Sequence, residues 1–142
     1  MNQPVHAIHL NRTLLWLVPL VAIAFFALNK PTTTFFNVTE VSVLEARALV
    51  DSGAIVVDVR EKEAFRSRHL PGAISAPVSQ LRSEVPVSLS EAKDKPVVVY
   101  CGDGATMGPE GTQLLNNAGY ARAVNMKSGI DGWQKAGYPI ER

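Results

Sequence analysis

Two uninterrupted apolar runs, Ala54-Ile-Val-Val-Asp58 and Pro96-Val-Val-Val-Tyr100, constrain this chain more than any other feature of it. A run that is apolar at every position, ends on a polar residue and spans only four or five residues fits a strand buried on both faces, as in a parallel sheet. The segments between and around these runs read as helices. Ser42-Val-Leu-Glu45 is a capping box, with Leu44, Ala48 and Leu49 as an apolar stripe behind it, so a helix is predicted from Ser42 to Asp51 that stops near Gly53. A short polar helix is predicted over Glu61–Ser67, then turn chemistry at His69-Leu-Pro-Gly-Ala73 and a brief strand over Ala73–Ala76. A helical stretch between Val78 and Lys93 is interrupted by Pro86. From Met107 a helix resumes, with Pro109 tolerated in its first turn, Leu114, Leu115 and Ala118 inward and Gly119 at its end. A strand over Ala121–Asn125 and a helix over Ile130–Ala136 carrying Trp133 complete the chain. Alternation of this kind defines an α/β domain with a small, mostly parallel sheet flanked by helices.

At 142 residues the chain holds one such domain and not two. A formal net charge of +1 offers no electrostatic footprint for nucleic acid. A single cysteine makes no internal disulfide and no zinc site, and of the three histidines His6 and His9 lie in the tail while His69 stands alone, so no metal is expected. Part of the apolar excess sits in Leu14–Leu28, LLWLVPLVAIAFFAL, preceded by Arg12 and followed by Lys30. This run is short for a comfortable transmembrane span and suits the apolar region of a signal peptide, and Ala22 and Ala24 offer a weak cleavage pattern. The expected organisation is therefore a signal peptide or membrane anchor, an N-terminal hydrophobic helix, over residues 1–30; a linker over 31–37; and the domain over 38–142. Arg12 ahead of the run biases the N-terminus slightly towards the cytoplasmic side, which places the domain on the exported side of the cell envelope, membrane-anchored or secreted.

The chemistry concentrates at Cys101. It follows the second strand at once and opens Cys101-Gly-Asp-Gly-Ala-Thr106, a loop of small residues that leads into a helix. Ligands of open α/β sheets bind at the carboxyl ends of strands. A glycine-rich loop can curl several backbone N–H groups onto one centre, and the helix N-terminus adds its positive dipole end, so the loop is a cradle for an anionic sulfur. A lone cysteine is otherwise most often a small buried hydrophobe, but that role needs no flanking glycines.

Around this loop the sequence resembles the rhodanese family. Asp58-Val-Arg60 with Glu63, Phe65 and His69-Leu-Pro-Gly-Ala73 is similar to the first rhodanese signature, Cys101-x-x-Gly104-x-Thr106 to the six-residue active loop, and Gly129-Ile-Asp-Gly-Trp133 with Gly137-Tyr-Pro139 to the closing signature. The resemblance runs from about Val38 to the C-terminus, in order and spacing. It implies a rhodanese-like fold and a sulfurtransferase that moves a sulfane sulfur from a small donor to a thiol or cyanide acceptor, or to a protein sulfur acceptor, through a Cys101 persulfide and without a cofactor. It further implies that Gly102, Asp103, Gly104, Ala105, Thr106 and Met107 bind substrate through their backbone, with Arg60 as a substrate contact. The loop is closer to the CG-S/T-G-V-T pattern of mercaptopyruvate enzymes than to CRKGVT of thiosulfate enzymes, and Asp103 adds a negative charge at the mouth. Ala64 stands where a carboxylate-binding arginine is expected, with Arg66 and Arg68 nearby. The donor stays open between the thiosulfate and mercaptopyruvate types.

The flanking residues also carry plainer readings. Asp58 and Arg60, two apart at a strand end, face one side and suit an ion pair. His69 suits a fold-holding hydrogen bond, and Trp133 beside Ile130 belongs to the core. Asn37-Val-Thr39 matches a glycosylation acceptor, a short and common pattern that carries no argument. A phosphatase of the same fold would need a longer loop ending in arginine, whereas Thr106 and Met107 follow Ala105 here. The competing class is a membrane-tethered persulfide carrier or redox-sensing module, held by residues 14–28 and acting through the same Cys101 with a protein partner.

Overall fold

The computed structural model describes residues 35–142. The apolar segment 14–28, expected to target or anchor the chain, lies outside the described residues. Among the described residues no helix is long and apolar enough to cross a membrane. Five strands, β1 (Glu40–Val41), β2 (Ile55–Asp58), β3 (Ile74–Ser75), β4 (Val97–Tyr100) and β5 (Ala123–Met126), alternate with helices α1 (Val43–Asp51), α2 (Lys62–Ser67), α3 (Val78–Leu81), α4 (Met107–Asn117) and α5 (Gly129–Lys135). The strands form one sheet in the order β1-β5-β4-β2-β3, every pair parallel. The two apolar runs lie side by side at its centre, Val56 opposite Val98 and Asp58 opposite Tyr100.

Because side chains alternate along a strand, β4 divides its residues between two cores. Val97, Val99 and, continuing the alternation, Cys101 face Leu81, Leu89 and Leu115 on one side. Val98 and Tyr100 face Ala46, Leu70, Ile130 and Trp133 on the other. Helices covering both faces explain why the central strands carry no polar alternation. The same parity sends the Cys101 side chain towards α4, whose first residues follow it.

Helix α1 begins as the capping box requires: the Ser42 hydroxyl accepts from the Glu45 amide at 3.2 Å, and a Glu45 carboxylate oxygen accepts from the Ser42 amide at 2.7 Å. Its buried face differs from the expected stripe. Leu44 is 71% exposed and Ala48 is exposed as well, while Ala46 is fully buried with Val43, Leu49 and Val50 packed around it. Ala46 lets the helix backbone approach the sheet more closely than leucine would, so the small residue sets the face. The region between Val78 and Lys93 resolves into α3 and a 310 helix over Val87–Ala92, with Pro86 as the residue preceding the latter. Edge strand β1 was not expected; it is held by Asn125 N–H donating to Thr39 O and Lys127 N–H to Val41 O, both at 2.9 Å. The last strand starts two residues later than expected and takes in Met126.

Candidate active site

Cys101 is fully buried at the carboxyl end of β4. Two helices then shape the loop that it opens. The carbonyls of Cys101 and Gly102 accept from the first-turn amides Ile130 and Asp131 of α5, at 2.9 and 3.0 Å. These bonds use orphan donors of the helix and hold the loop carbonyls away from the sulfur. On the other side the loop runs into the first turn of α4, where Met107 and Gly108 have no intrahelical acceptor for their amides. Gly104 sits in the left-handed region at φ 78°, and a Cβ there would stand 2.6 Å from Ser128 N and 2.7 Å from Met126 O. Only glycine supplies both the conformation and the close approach.

The sulfur has two polar neighbours. The Gly104 amide donates to Sγ at 3.2 Å, and the thiol donates to Asp103 Oδ1 at 3.6 Å. The same carboxylate oxygen accepts from the Ala105 amide at 3.0 Å. That amide holds the Asp103 carboxyl below the usual carboxylate range against the opposing effect of burial, with a lesser contribution from the Cys101 thiol, so it is ionised at neutral pH. Of the loop amides expected on the sulfur, the structure therefore brings Gly104 to Sγ and gives Ala105 to Asp103. Gly102 is half-buried, Ala105 and Thr106 are exposed, and Met107 is 39% exposed at the rim.

Arg60, expected as a substrate contact, lies 7% exposed among groups that occupy its guanidinium. Nη2 meets Asp58 Oδ2 at 2.6 Å and Arg68 O at 2.6 Å, and Nε donates to Asp58 Oδ1 at 3.0 Å. Asp58, fully buried, also accepts the Arg60 amide at 3.0 Å. The two arginines considered as carboxylate binders are likewise engaged: Arg68 with Asp131 and Gln134 at 2.5 Å, and Arg66, on the surface, with Glu63 at 3.8 Å. His69 stacks on Phe65 with ring centroids 4.1 Å apart, and its Nδ1 lies 2.9 Å from Phe65 O, with Nε2 3.2 Å from Glu141. Trp133 is 2% exposed in the core, its indole N–H donating to Pro139 O at 2.9 Å. Among the described residues no group of three or more His, Cys, Asp or Glu is placed to hold a metal ion.

One residue that sequence reasoning passed over links the site to the far edge of the sheet. Asn125, fully buried on β5, donates through Nδ2 to Gly104 O at 3.0 Å and to Glu40 Oε1 at 3.1 Å. Its Oδ1 has no partner among the described residues, and it lies against Gly108, where a Cβ would come within 2.3 Å of Oδ1 and 3.4 Å of Cys101 Sγ. Gly108 therefore lets α4 start against both the amide and the sulfur. A buried asparagine in a strand core was the available signal, but its partners lie 21 and 85 residues away in sequence.

Fold and loop together define an α/β domain built around a protected cysteine at the end of its central strand. The chain belongs to the rhodanese-like domain family, whose model, Rhodanese-like domain, matches residues 42–136. The uncharacterized protein YibN of Escherichia coli (strain K12) is 34% identical over 131 residues, covering 87% of this chain and 91% of that protein. A sulfurtransferase of Allochromatium vinosum is 31% identical over 98 residues, covering 68% of this chain and 87% of its own length. The solved structure of the human single-domain sulfurtransferase TSTD1 superposes with a TM-score of 0.59 at 30% identity, covering 68% of this chain and 95% of that one.

Proposed function

We propose that this chain is a sulfurtransferase that carries sulfane sulfur as a persulfide on Cys101. The observation that carries the reading is the Cys101 sulfur itself, buried at the carboxyl end of β4 under the Gly104 amide, in a family with sulfurtransferases among its members. The reaction is a double displacement. The Cys101 thiolate attacks the outer sulfur of a donor: with thiosulfate, an Sγ–S bond forms, the donor S–S bond breaks and sulfite leaves with the electron pair. A thiophilic acceptor, a thiol or cyanide, then attacks the outer persulfide sulfur and restores the thiolate. The Gly104 amide stabilises negative charge on Sγ in both half-reactions, and the chemistry as written uses no organic cofactor or metal. The apolar run at residues 14–28 supports a tether or leader that places the domain at the cell envelope, on the exported side. The enclosed position of Cys101 and the absence of a basic side chain in residues 101–107 favour a second reading, a membrane-tethered carrier loaded and unloaded by a protein partner.

Intact mass of the full chain after incubation with thiosulfate or mercaptopyruvate tests the proposal. The expected result is a gain of one sulfur, about 32 Da, removed by cyanide and absent in Cys101→Ser. A folded protein with a titratable thiol that gains no sulfur from either compound refutes the small-donor enzyme and leaves the carrier. Many turnovers with free donor and cyanide separate the enzyme from a carrier that loads once. Protease accessibility of the domain in intact and opened cells reports its side of the membrane.

A further inference from the structure

We infer that Asp103 sets donor specificity: its carboxylate fills the anion position beside Cys101 Sγ, so the site takes sulfur from a thiol persulfide in preference to a dianionic donor such as thiosulfate. The inference rests on the persulfide reading above and names the donor class for it.

Three observations carry it. The Asp103 carboxylate lies 3.6 Å from Sγ and is anchored by the Ala105 amide, one of the donors that an incoming anion would otherwise use. Asp103 is also the only charged residue among positions 101–107. Moreover, four cations on the segments that converge at this end of the sheet are already paired with acids. Arg60 meets Asp58 at 2.6 Å, Arg82 meets Glu110 at 2.6 Å, Lys127 meets Glu40 at 3.0 Å, and Arg68 meets Asp131 at 2.5 Å. A dianion such as thiosulfate therefore meets a fixed negative charge beside the sulfur, while these four cations already have acidic partners. A thiol persulfide has no oxoanion to place, and Ala105 and the partly exposed Met107 give the mouth a small apolar rim for the carbon next to its sulfur. The transfer balances as Cys101–SH + R–S–SH giving Cys101–S–SH + R–SH. The Sγ–S bond forms, the donor S–S bond breaks, and the thiol proton leaves with R–SH, so nothing is oxidised or reduced overall.

The test compares second-order rates of sulfur loading onto Cys101, by intact mass, for the full chain and for Asp103→Asn, which keeps an acceptor for the Ala105 amide. The donors are thiosulfate, the persulfide of 2-mercaptoethanol, which carries no carboxylate, and a persulfidated cysteine protein, so that small and protein-borne sources are told apart. Wild type is expected to load faster from at least one persulfide than from thiosulfate. Asp103→Asn is expected to raise the thiosulfate rate about tenfold, the size of removing one exposed charge opposite a dianion, and the persulfide rates by less than about threefold. The thiosulfate rate of wild type should also rise with added salt more steeply than that of the variant, because screening weakens like-charge repulsion and the variant keeps only that of the thiolate. A general structural effect of the substitution would not produce this salt dependence. Asp103→Ser serves as a second uncharged variant should Asp103→Asn fold poorly. Wild type loading from thiosulfate as fast as from either persulfide, or a variant that accelerates all donors equally, overturns the inference while leaving the Cys101 persulfide intact. Failure of every donor with every variant removes the persulfide reading itself, and the inference with it.

Discussion

Replacing Arg60 by methionine separates its two readings, substrate contact and structural ion pair. Asp58 is fully buried, and the Arg60 guanidinium supplies its counter-charge through contacts of 2.6 and 3.0 Å while also donating to Arg68 O at 2.6 Å. Methionine fills similar volume but leaves a buried carboxylate without its counter-charge and the Arg68 carbonyl without its guanidinium donor. Removing one member of such a pair costs about 3–5 kcal/mol, a large part of the roughly 5–15 kcal/mol by which domains are stable. The midpoint of urea unfolding should fall accordingly, and Tm should drop by about 12 °C or more at about 4–8 °C per kcal/mol. The double substitution Asp58→Leu with Arg60→Met should recover most of that loss, because an apolar pair carries no desolvation penalty. Sulfur loading per folded molecule, measured well below the transition, should stay within about twofold of wild type, since the guanidinium is turned to Asp58. A variant that keeps its stability within about 1 kcal/mol but needs at least tenfold more donor for half-maximal loading would refute this account and return Arg60 to the substrate site.

Asn125→Asp should destabilise by about 3–5 kcal/mol, because a buried carboxylate would face the Gly104 carbonyl and the Glu40 carboxylate where an amide now donates; chemical denaturation reads it, and a change under about 1 kcal/mol contradicts the hydrogen-bond assignment. Ser128 is the one non-glycine residue at positive φ among the described residues, at 65°, and its side chain caps nothing, so Ser128→Gly should stabilise by about 0.5–1 kcal/mol in the same assay. Tyr100 gives a pH dependence: burial first, then the Asp58 charge, push its phenol far above the ordinary value of 10.0. The folded state thus keeps the proton while the unfolded chain loses it, so stability is full below pH 10.0 and should fall by about 1.4 kcal/mol per unit above it. Tyr100→Phe should start less stable by about 1 kcal/mol, having lost the bond from the Leu70 amide, and lose this group's share of the alkaline slope.

What could be read in the sequence follows from how locally each feature is encoded. The central strands announce themselves because burial on both faces removes every polar residue from Val56–Val57 and Val97–Val99, and the helix before Gly53 needs only the Ser42–Glu45 capping box to place its start. Strand β1 has two residues, too few for any periodicity to show, and exists because Asn125 and Lys127 offer it backbone donors. The buried face of α1 is hidden from the sequence for a related reason: Leu44 is the more hydrophobic residue, but Ala46 fits the distance between helix and sheet, a property of the packed pair and not of the helix.

The same distinction runs through the site. Cys101 and its glycines were legible because the loop must turn within a few residues of a strand, and such a turn writes its demands into the local sequence. What surrounds the sulfur was not. Whether Arg60 meets a donor or Asp58 depends on a side-chain rotamer at the end of β2, and the spacing of the two residues permits both. Asn125 reads as an ordinary polar residue in a strand until β5 comes to lie between β1 and β4, which places its amide between Glu40 and Gly104. That arrangement ties edge strand β1 to the residue that also donates to Cys101 Sγ, since the carbonyl and the amide involved both belong to Gly104. The loop is thus set by its own glycines in conformation and by Asn125 in position. Of these two determinants, only the conformation is written within the loop.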